Sequence, residues 1–153
     1  MNMPAPARDL HAQYAALAEA LRPAILRLGR HLRRETLKTG ISGSDAHLLA
    51  QVGKRPGIGV SELALAEQVS TASMSGQVKR LKAAGWLTED DGAAEDQRRV
   101  RLLLTAEGLK AINAVRRSRT DWLATHVAAL SDEDREMLNA AVEALGRLAE
   151  MRA

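Results

Sequence analysis

"STASMSGQVKRLKAAGWLTEDDGAAEDQRRVRLLLT" (residues 70–105) changes its periodicity partway, and that change decides the fold. The first half steps helically: Met74, Val78 and Leu81 share one face, Ser70 stands before them as an N-cap, and Gly85 follows as a stop. The second half steps by two. "WLTE" is β-prone, "DDGAAEDQ" is turn-rich, and "RRVRLLLT" sets Val100, Leu102 and Leu104 against Arg99, Arg101 and Leu103, the pattern of a hairpin. Just upstream, Ser61 is expected to cap a very short helix over residues 62–67, with Gln68 and Val69 as the connection. Leu63 and Leu65 in it cannot share a face, so packing on two sides is expected. Two short helices joined by a tight turn and followed by a hairpin predict a winged helix-turn-helix.

Working outward, Leu10, Tyr14, Leu17, Leu21, Ile25, Leu28 and Leu32 step by three or four and form one stripe of a long first helix. Pro23 removes a backbone donor inside that stripe, so a kink or break is expected near Arg22. Gly40 ends the helix. Ser42 with Asp45 three residues on then forms a capping box for a helix through Leu48, Leu49 and Val52, which "GKRPGIG" (residues 53–59) breaks. Beyond the hairpin, Thr105 caps a long helix with Ile112, Val115, Trp122, Leu123 and Val127 among its apolar positions. Ser131, opening "SDED", caps a last helix whose apolar face is Met137, Leu138, Ala141, Val142, Leu145 and Leu148.

The chain has 153 residues, the size of one ordinary domain, and such a chain buries roughly two thirds of its unfolded surface without staples. It contains no cysteine, which excludes a disulfide framework, a thiol nucleophile and a Cys-ligated zinc site. "MNMPAPARDLHAQ" (residues 1–13) lacks a signal pattern, and no apolar run approaches the roughly 20 residues that span a bilayer, so a cytoplasmic protein with no membrane partner is expected. A formal charge of +3 decides little by itself. Tyr14, Trp86 and Trp122 are the whole aromatic complement, too few for a base-stacking surface.

Opposite the Met74, Val78, Leu81 face lie Ser73, Gly76, Lys79 and Arg80, with Ser75 and Gln77 on the flanks. An amide can pair with adenine, a guanidinium with guanine or phosphate, and hydroxyls near a helix start with either, which is the chemistry that reads double-stranded DNA. The same residue types also make an ordinary solvated helix face. No enzyme reading competes: His11, His31, His47 and His126 are scattered, and neither a phosphate loop nor a nucleophile elbow is present. No catalytic residue, metal ligand or cofactor is expected.

"VSELALAEQVSTASMSGQVKRLKAAGWLTEDDGAAEDQRRVRLLLTAEG" (residues 60–108), with "ISGSDAHLLAQV" (residues 41–52) ahead of it, resembles the MarR family of bacterial winged helix-turn-helix regulators. Its most specific part is Asp96, Arg98 and then "LTAEG" (residues 104–108), similar to that family's wing signature. Gly76 departs from the family, which often has a basic or bulkier residue there. The resemblance implies a mainly α fold with a small β-hairpin wing and with N- and C-terminal dimerisation helices. Residues 42–105 would be the DNA-binding domain, and residues 8–40 with 106–151 the helical dimerisation region. The implied partners are double-stranded DNA, a second copy in a homodimer, and a small aromatic or amphipathic effector that releases DNA, the regulator acting as a repressor.

The DNA-contacting set would be Ser70, Thr71, Ser73, Ser75, Gln77, Lys79, Arg80, Asp96, Arg98, Arg99 and Arg101, with Asp96 bracing Arg98. Glu89, Asp90, Asp91 and Glu95 read either as a solvated loop or as acids that limit nonspecific DNA affinity. Arg27, Arg30, Arg33 and Arg34 read as a solvated helix face, and Arg116, Arg117 and Arg119 either as solvated or as contacts to flanking phosphates. Effector-lining residues stay open among Tyr14, Trp122 and the arginines of the first helix. Two alternatives stand beside this reading: a winged helix that docks on protein, and a regulator that senses metal through histidine.

Overall fold

Four hydroxyls start four helices. Ser42, Ser70, Thr105 and Ser131 each accept a hydrogen bond from the backbone N–H three residues on, at Asp45 (3.1 Å), Ser73 (3.1 Å), Gly108 (2.9 Å) and Asp134 (3.1 Å). Each satisfies a donor that the first helical turn would leave unpaired. The helices they open are α2 (Gly43–Lys54), α4 (Thr71–Ala83), α5 (Ala106–Ala128) and α6 (Asp132–Glu150). Ahead of them runs α1 (Ala5–Lys38), and α3 (Val60–Ala66) lies between α2 and α4. The computed structural model describes residues 5–90 and 101–151, with side chains from Ala12 onward.

Two sequence expectations need correction here. Gly59, without a side-chain bond, caps α3, and Ser61 lies inside the helix. Of the kink or break expected near Arg22, the break does not occur, because α1 runs as one helix through Pro23. Proline removes one donor, but its fixed φ of about −65° is itself helical, so the turns on either side can continue.

The turn between α3 and α4 closes on backbone bonds alone. Val69 N–H reaches Ala64 O at 3.0 Å and Gln68 N–H reaches Leu65 O at 3.3 Å, with Gln68 at φ 55. Gly85 repeats the device at the end of α4, where Trp86 N–H bonds Leu81 O at 3.0 Å and Gly85 N–H bonds Lys82 O at 2.9 Å. This paired closure needs a left-handed residue, a conformation that glycine adopts without steric cost and glutamine does not.

A small antiparallel sheet follows, with strand order β1-β3-β2: β1 is Ile58–Gly59, β2 is Leu87–Asp90 and β3 is Arg101–Leu104. Leu87 faces Leu104 and Asp90 faces Arg101 across the hairpin, while Ile58 pairs with Leu102 on the other edge. The hairpin is as the alternation predicts. The two-residue strand β1 is an addition, lodged in a Gly- and Pro-rich stretch too short to show a period.

One core joins these pieces. Leu48, Leu49 and Val52 of α2 meet Leu63 of α3, Met74, Val78 and Leu81 of α4, Leu87 and Leu102 of the sheet, and Ile112 and Val115 of α5, all buried. Burying side chains of this size stabilises by about 1.5–3 kcal/mol each. Here α5 enters so close to β2 that a Cβ on Gly108 would overlap the Trp86 carbonyl. Leu65 departs from expectation: it is 80% exposed while Leu63 is fully buried, because α3 packs against α4 and β1 with one face only.

The outer helices are different in kind. The buried side chains of α1 among the described residues are Glu35 and Thr36, near its C-terminal end, and α6 buries none. Leu17 (59%), Met137 (57%) and Val142 (62%) stand open to solvent on these two apolar stripes.

Candidate nucleic-acid interface

The core fixes which way α4 faces. With Met74, Val78 and Leu81 turned inward, Thr71, Ser73, Ser75, Lys79 and Arg80 are exposed and Gln77 is half-buried on a flank. Ser70, also exposed, spends one of its oxygen lone pairs on the cap and keeps the other and its hydroxyl proton. Nothing lies within 4 Å of the position a Gly76 Cβ would take, so the outward arc is bare at its centre.

Two ion pairs tie the flanks of α4 to its neighbours. Arg80 Nη2 donates to Asp45 Oδ1 of α2 at 2.5 Å, and Lys82 Nζ meets Glu89 Oε2 of β2 at 2.6 Å. Glu89 therefore has a partner and is not simply part of a solvated loop. Asp45 likewise does not complete a capping box; Ser42 caps its backbone N–H, while its carboxylate turns to Arg80. Neither contact was legible in the sequence, because Asp45 and Arg80 are 35 positions apart and the placement of α2 against α4 is a tertiary fact. Lys79 meets no acid among the described residues. Arg101 is exposed on β3, its Cδ 3.9 Å from the position of a Gly57 Cβ. The structure thus gathers Ser70 through Arg80 on one helix and sets Arg101 on the hairpin. Asp96, Arg98 and Arg99, with Asp91 and Glu95, lie outside the described residues.

A second polar cluster joins α1 to α5. Thr36, fully buried, donates to Leu32 O at 2.9 Å and accepts from Arg119 Nε at 2.9 Å. Arg119 thereby serves the α1–α5 seam, whereas Arg116 and Arg117 are exposed. Glu35, 8% exposed, accepts from Lys38 Nζ at 2.6 Å, and the Ser118 hydroxyl lies 3.3 Å from its carboxylate. The Lys38 hydrogen bond is the main reason the Glu35 carboxyl sits below its ordinary value; burial opposes the shift, and the Lys38 charge and the Ser118 bond reinforce it. Beside this cluster Trp122 stacks on His31 at 4.9 Å and on His126 at 4.0 Å. Tyr14 is 63% exposed and takes no part. Arg27, Arg30, Arg33 and Arg34 are exposed, as a solvated face requires.

His47 is apart from both clusters, 2.9 Å from Glu67 Oε2. Among the described residues no three His, Asp or Glu side chains gather as metal ligands, and no helix is long and apolar enough to cross a membrane.

Comparison with known proteins agrees with this geometry. Residues 39–99 match the profile of the MarR family. A Mycobacterium bovis protein named as an uncharacterized HTH-type transcriptional regulator is 29% identical over 129 residues, covering 84% of this chain and 90% of its own. Among solved structures, a Pseudomonas aeruginosa protein described as a candidate transcriptional regulator superposes with a TM-score of 0.78 at 28% identity, over 92% of this chain and 98% of that one. A Staphylococcus aureus MepR variant bound to an oligodeoxyribonucleotide shares the fold at a TM-score of 0.67 and 19% identity, over 88% and 98% of the two chains.

Proposed function

We propose that the chain, whose residues 39–99 match the MarR family profile, is a winged helix-turn-helix transcriptional regulator of that family that binds double-stranded DNA sequence-specifically as a homodimer, in the cytoplasm, and represses transcription. The observation that carries this is the outward arc of α4: a bare, polar and cationic surface on a helix whose opposite face is locked in the core. In this reading α4 enters the major groove, where Gln77 and Arg80 read base edges and Ser70, Thr71, Ser73, Ser75 and Lys79 contact phosphates or bases. Arg101 and, from the sequence, Arg98 and Arg99 supply the wing's backbone or minor-groove contacts. Residues 42–105 form the DNA-binding domain, and residues 8–40 with 106–151 carry the dimer. The oligodeoxyribonucleotide-bound structure of the same fold supports DNA as the partner.

Release by a small aromatic or amphipathic effector would use the seam of α1 and α5, where Trp122, His31 and His126 offer flat faces beside the Glu35–Lys38 pair. A two-fold dimer should footprint a near-palindrome with half-site centres about 10–11 bp apart.

The test is a titration of Gln77→Ala, Arg80→Ala and Arg98→Ala against operator and scrambled duplex at two salt concentrations. The first two should lose about 1–3 kcal/mol on the operator and relax preference at particular base pairs. Arg98→Ala should weaken both duplexes and flatten the salt slope. Equal losses on both duplexes for Gln77→Ala and Arg80→Ala would mean that α4 does not read sequence.

A further inference from the structure

Asp45 sits at the third position of α2, where an acid ordinarily folds back on the N-cap backbone. Its Oδ1 instead accepts from Arg80 Nη2, across the gap between two helices. The two ends of this pair differ in exposure: the Asp45 side chain is 14% exposed and that of Arg80 is 57%. The acid is thus sheltered within the domain while the guanidinium remains open to whatever approaches α4.

A pair with an exposed end adds little to stability. What it does supply is orientation. A guanidinium has five N–H donors in a rigid fork, so holding one nitrogen on a carboxylate sets the direction of the rest. Without that hold, a long cationic side chain beside DNA would satisfy itself on any phosphate, which adds affinity and no discrimination. An uncompensated acid at this place would also repel the duplex, whereas a paired one does not. Gln77, three residues before Arg80, lies on the same flank of α4, so the fixed guanidinium and the amide would address neighbouring base pairs.

We infer that Asp45 is a positioning residue for sequence reading: it touches no DNA, and holds Arg80 so that the free donors of the guanidinium meet base edges. The inference rests on the proposed role of Arg80 at the operator, and the two fail differently.

The experiment uses the full-length chain with Asp45→Ala, Asp45→Asn, Arg80→Ala and the Asp45→Ala/Arg80→Ala double variant. Each is titrated against operator, against operators changed one base pair at a time, and against scrambled duplex, with thermal melting in parallel. The Ser42 cap bonds the backbone N–H of residue 45, so both Asp45 variants keep the helix start. Asp45→Ala should lower the operator-to-scrambled ratio about fivefold, a share of the discrimination that one well-held guanidinium provides. The loss should fall at the base pair that Arg80→Ala identifies, and it should vanish in the Arg80→Ala background. Asp45→Asn, which keeps an acceptor, should recover part of the ratio.

If Arg80→Ala lowers the ratio and Asp45→Ala leaves it unchanged, the positioning role is overturned while Arg80 remains a reader. The same fold-change for Asp45→Ala with and without Arg80, or equal losses on all duplexes that follow the melting temperature, also overturns it. An Arg80→Ala variant with an unchanged ratio removes the proposed role of Arg80 and the inference together.

Discussion

A Cβ added at Gly76 would meet nothing within 4 Å, although the residue lies in the middle of α4. Glycine in a helix interior costs about 1 kcal/mol relative to alanine, and here no packing contact offsets it. Gly76→Ala should therefore raise stability by about 1 kcal/mol in chemical denaturation; a decrease would show that the site is more crowded than open. If the operator affinity falls in the same variant, the bare centre of the arc is a place where DNA approaches the backbone. At this scale, what the sequence revealed was local chemistry. The hydroxyl caps at Ser42, Ser70, Thr105 and Ser131 were legible because donor and acceptor are three residues apart. Gln68 was not, since glutamine carries no signal for the left-handed conformation it holds, and the partners of Asp45 and Glu89 were hidden by distance along the chain.

Between elements, the seam of α1 and α5 is polar where most of the core is apolar. Its Glu35 carboxyl is held below its ordinary value of 4.5. A depressed carboxyl contributes stability that is complete above its unfolded value and is lost as pH falls through the folded one. Acidification should therefore weaken the seam below the ordinary carboxylate range, seen as a falling melting temperature and rising hydrogen exchange in α1. Glu35→Gln should flatten that acid limb relative to the parent chain, while an unchanged limb would place the acid sensitivity elsewhere. Periodicity predicted both helices and the hairpin, since each carries several turns or alternations. It gave no hint of this seam, because Glu35 and Ser118 are ordinary surface residues until α5 is laid beside α1. The strand β1 escaped notice for a related reason: a pairing partner, and not its two residues, makes it a strand.

For the whole molecule, the telling fact is that α6 buries no side chain against its own chain. Leu17, Leu138, Val142 and Leu145 are exposed on stripes whose spacing the sequence displayed plainly, and in the proposed homodimer a second copy would cover them. Leu145→Asp should shift the chain toward monomer in sedimentation and weaken operator binding with it. The loss should be about 1.5–3 kcal/mol for each copy of the side chain no longer buried. A variant that stays dimeric with full operator affinity would place the contact on another face. α1 adds a mechanical consequence. At about 1.5 Å per residue, its 34 residues make a beam of roughly 50 Å, and its buried side chains among the described residues, Glu35 and Thr36, lie near one end. For a rod of that length, a tilt of about 5° at the buried end would sweep the other end by roughly 4 Å. The hydrogen bonds of Glu35, Thr36, Ser118 and Arg119 hold the C-terminal end of that rod, where a small adjustment would yield the largest travel at the opposite end.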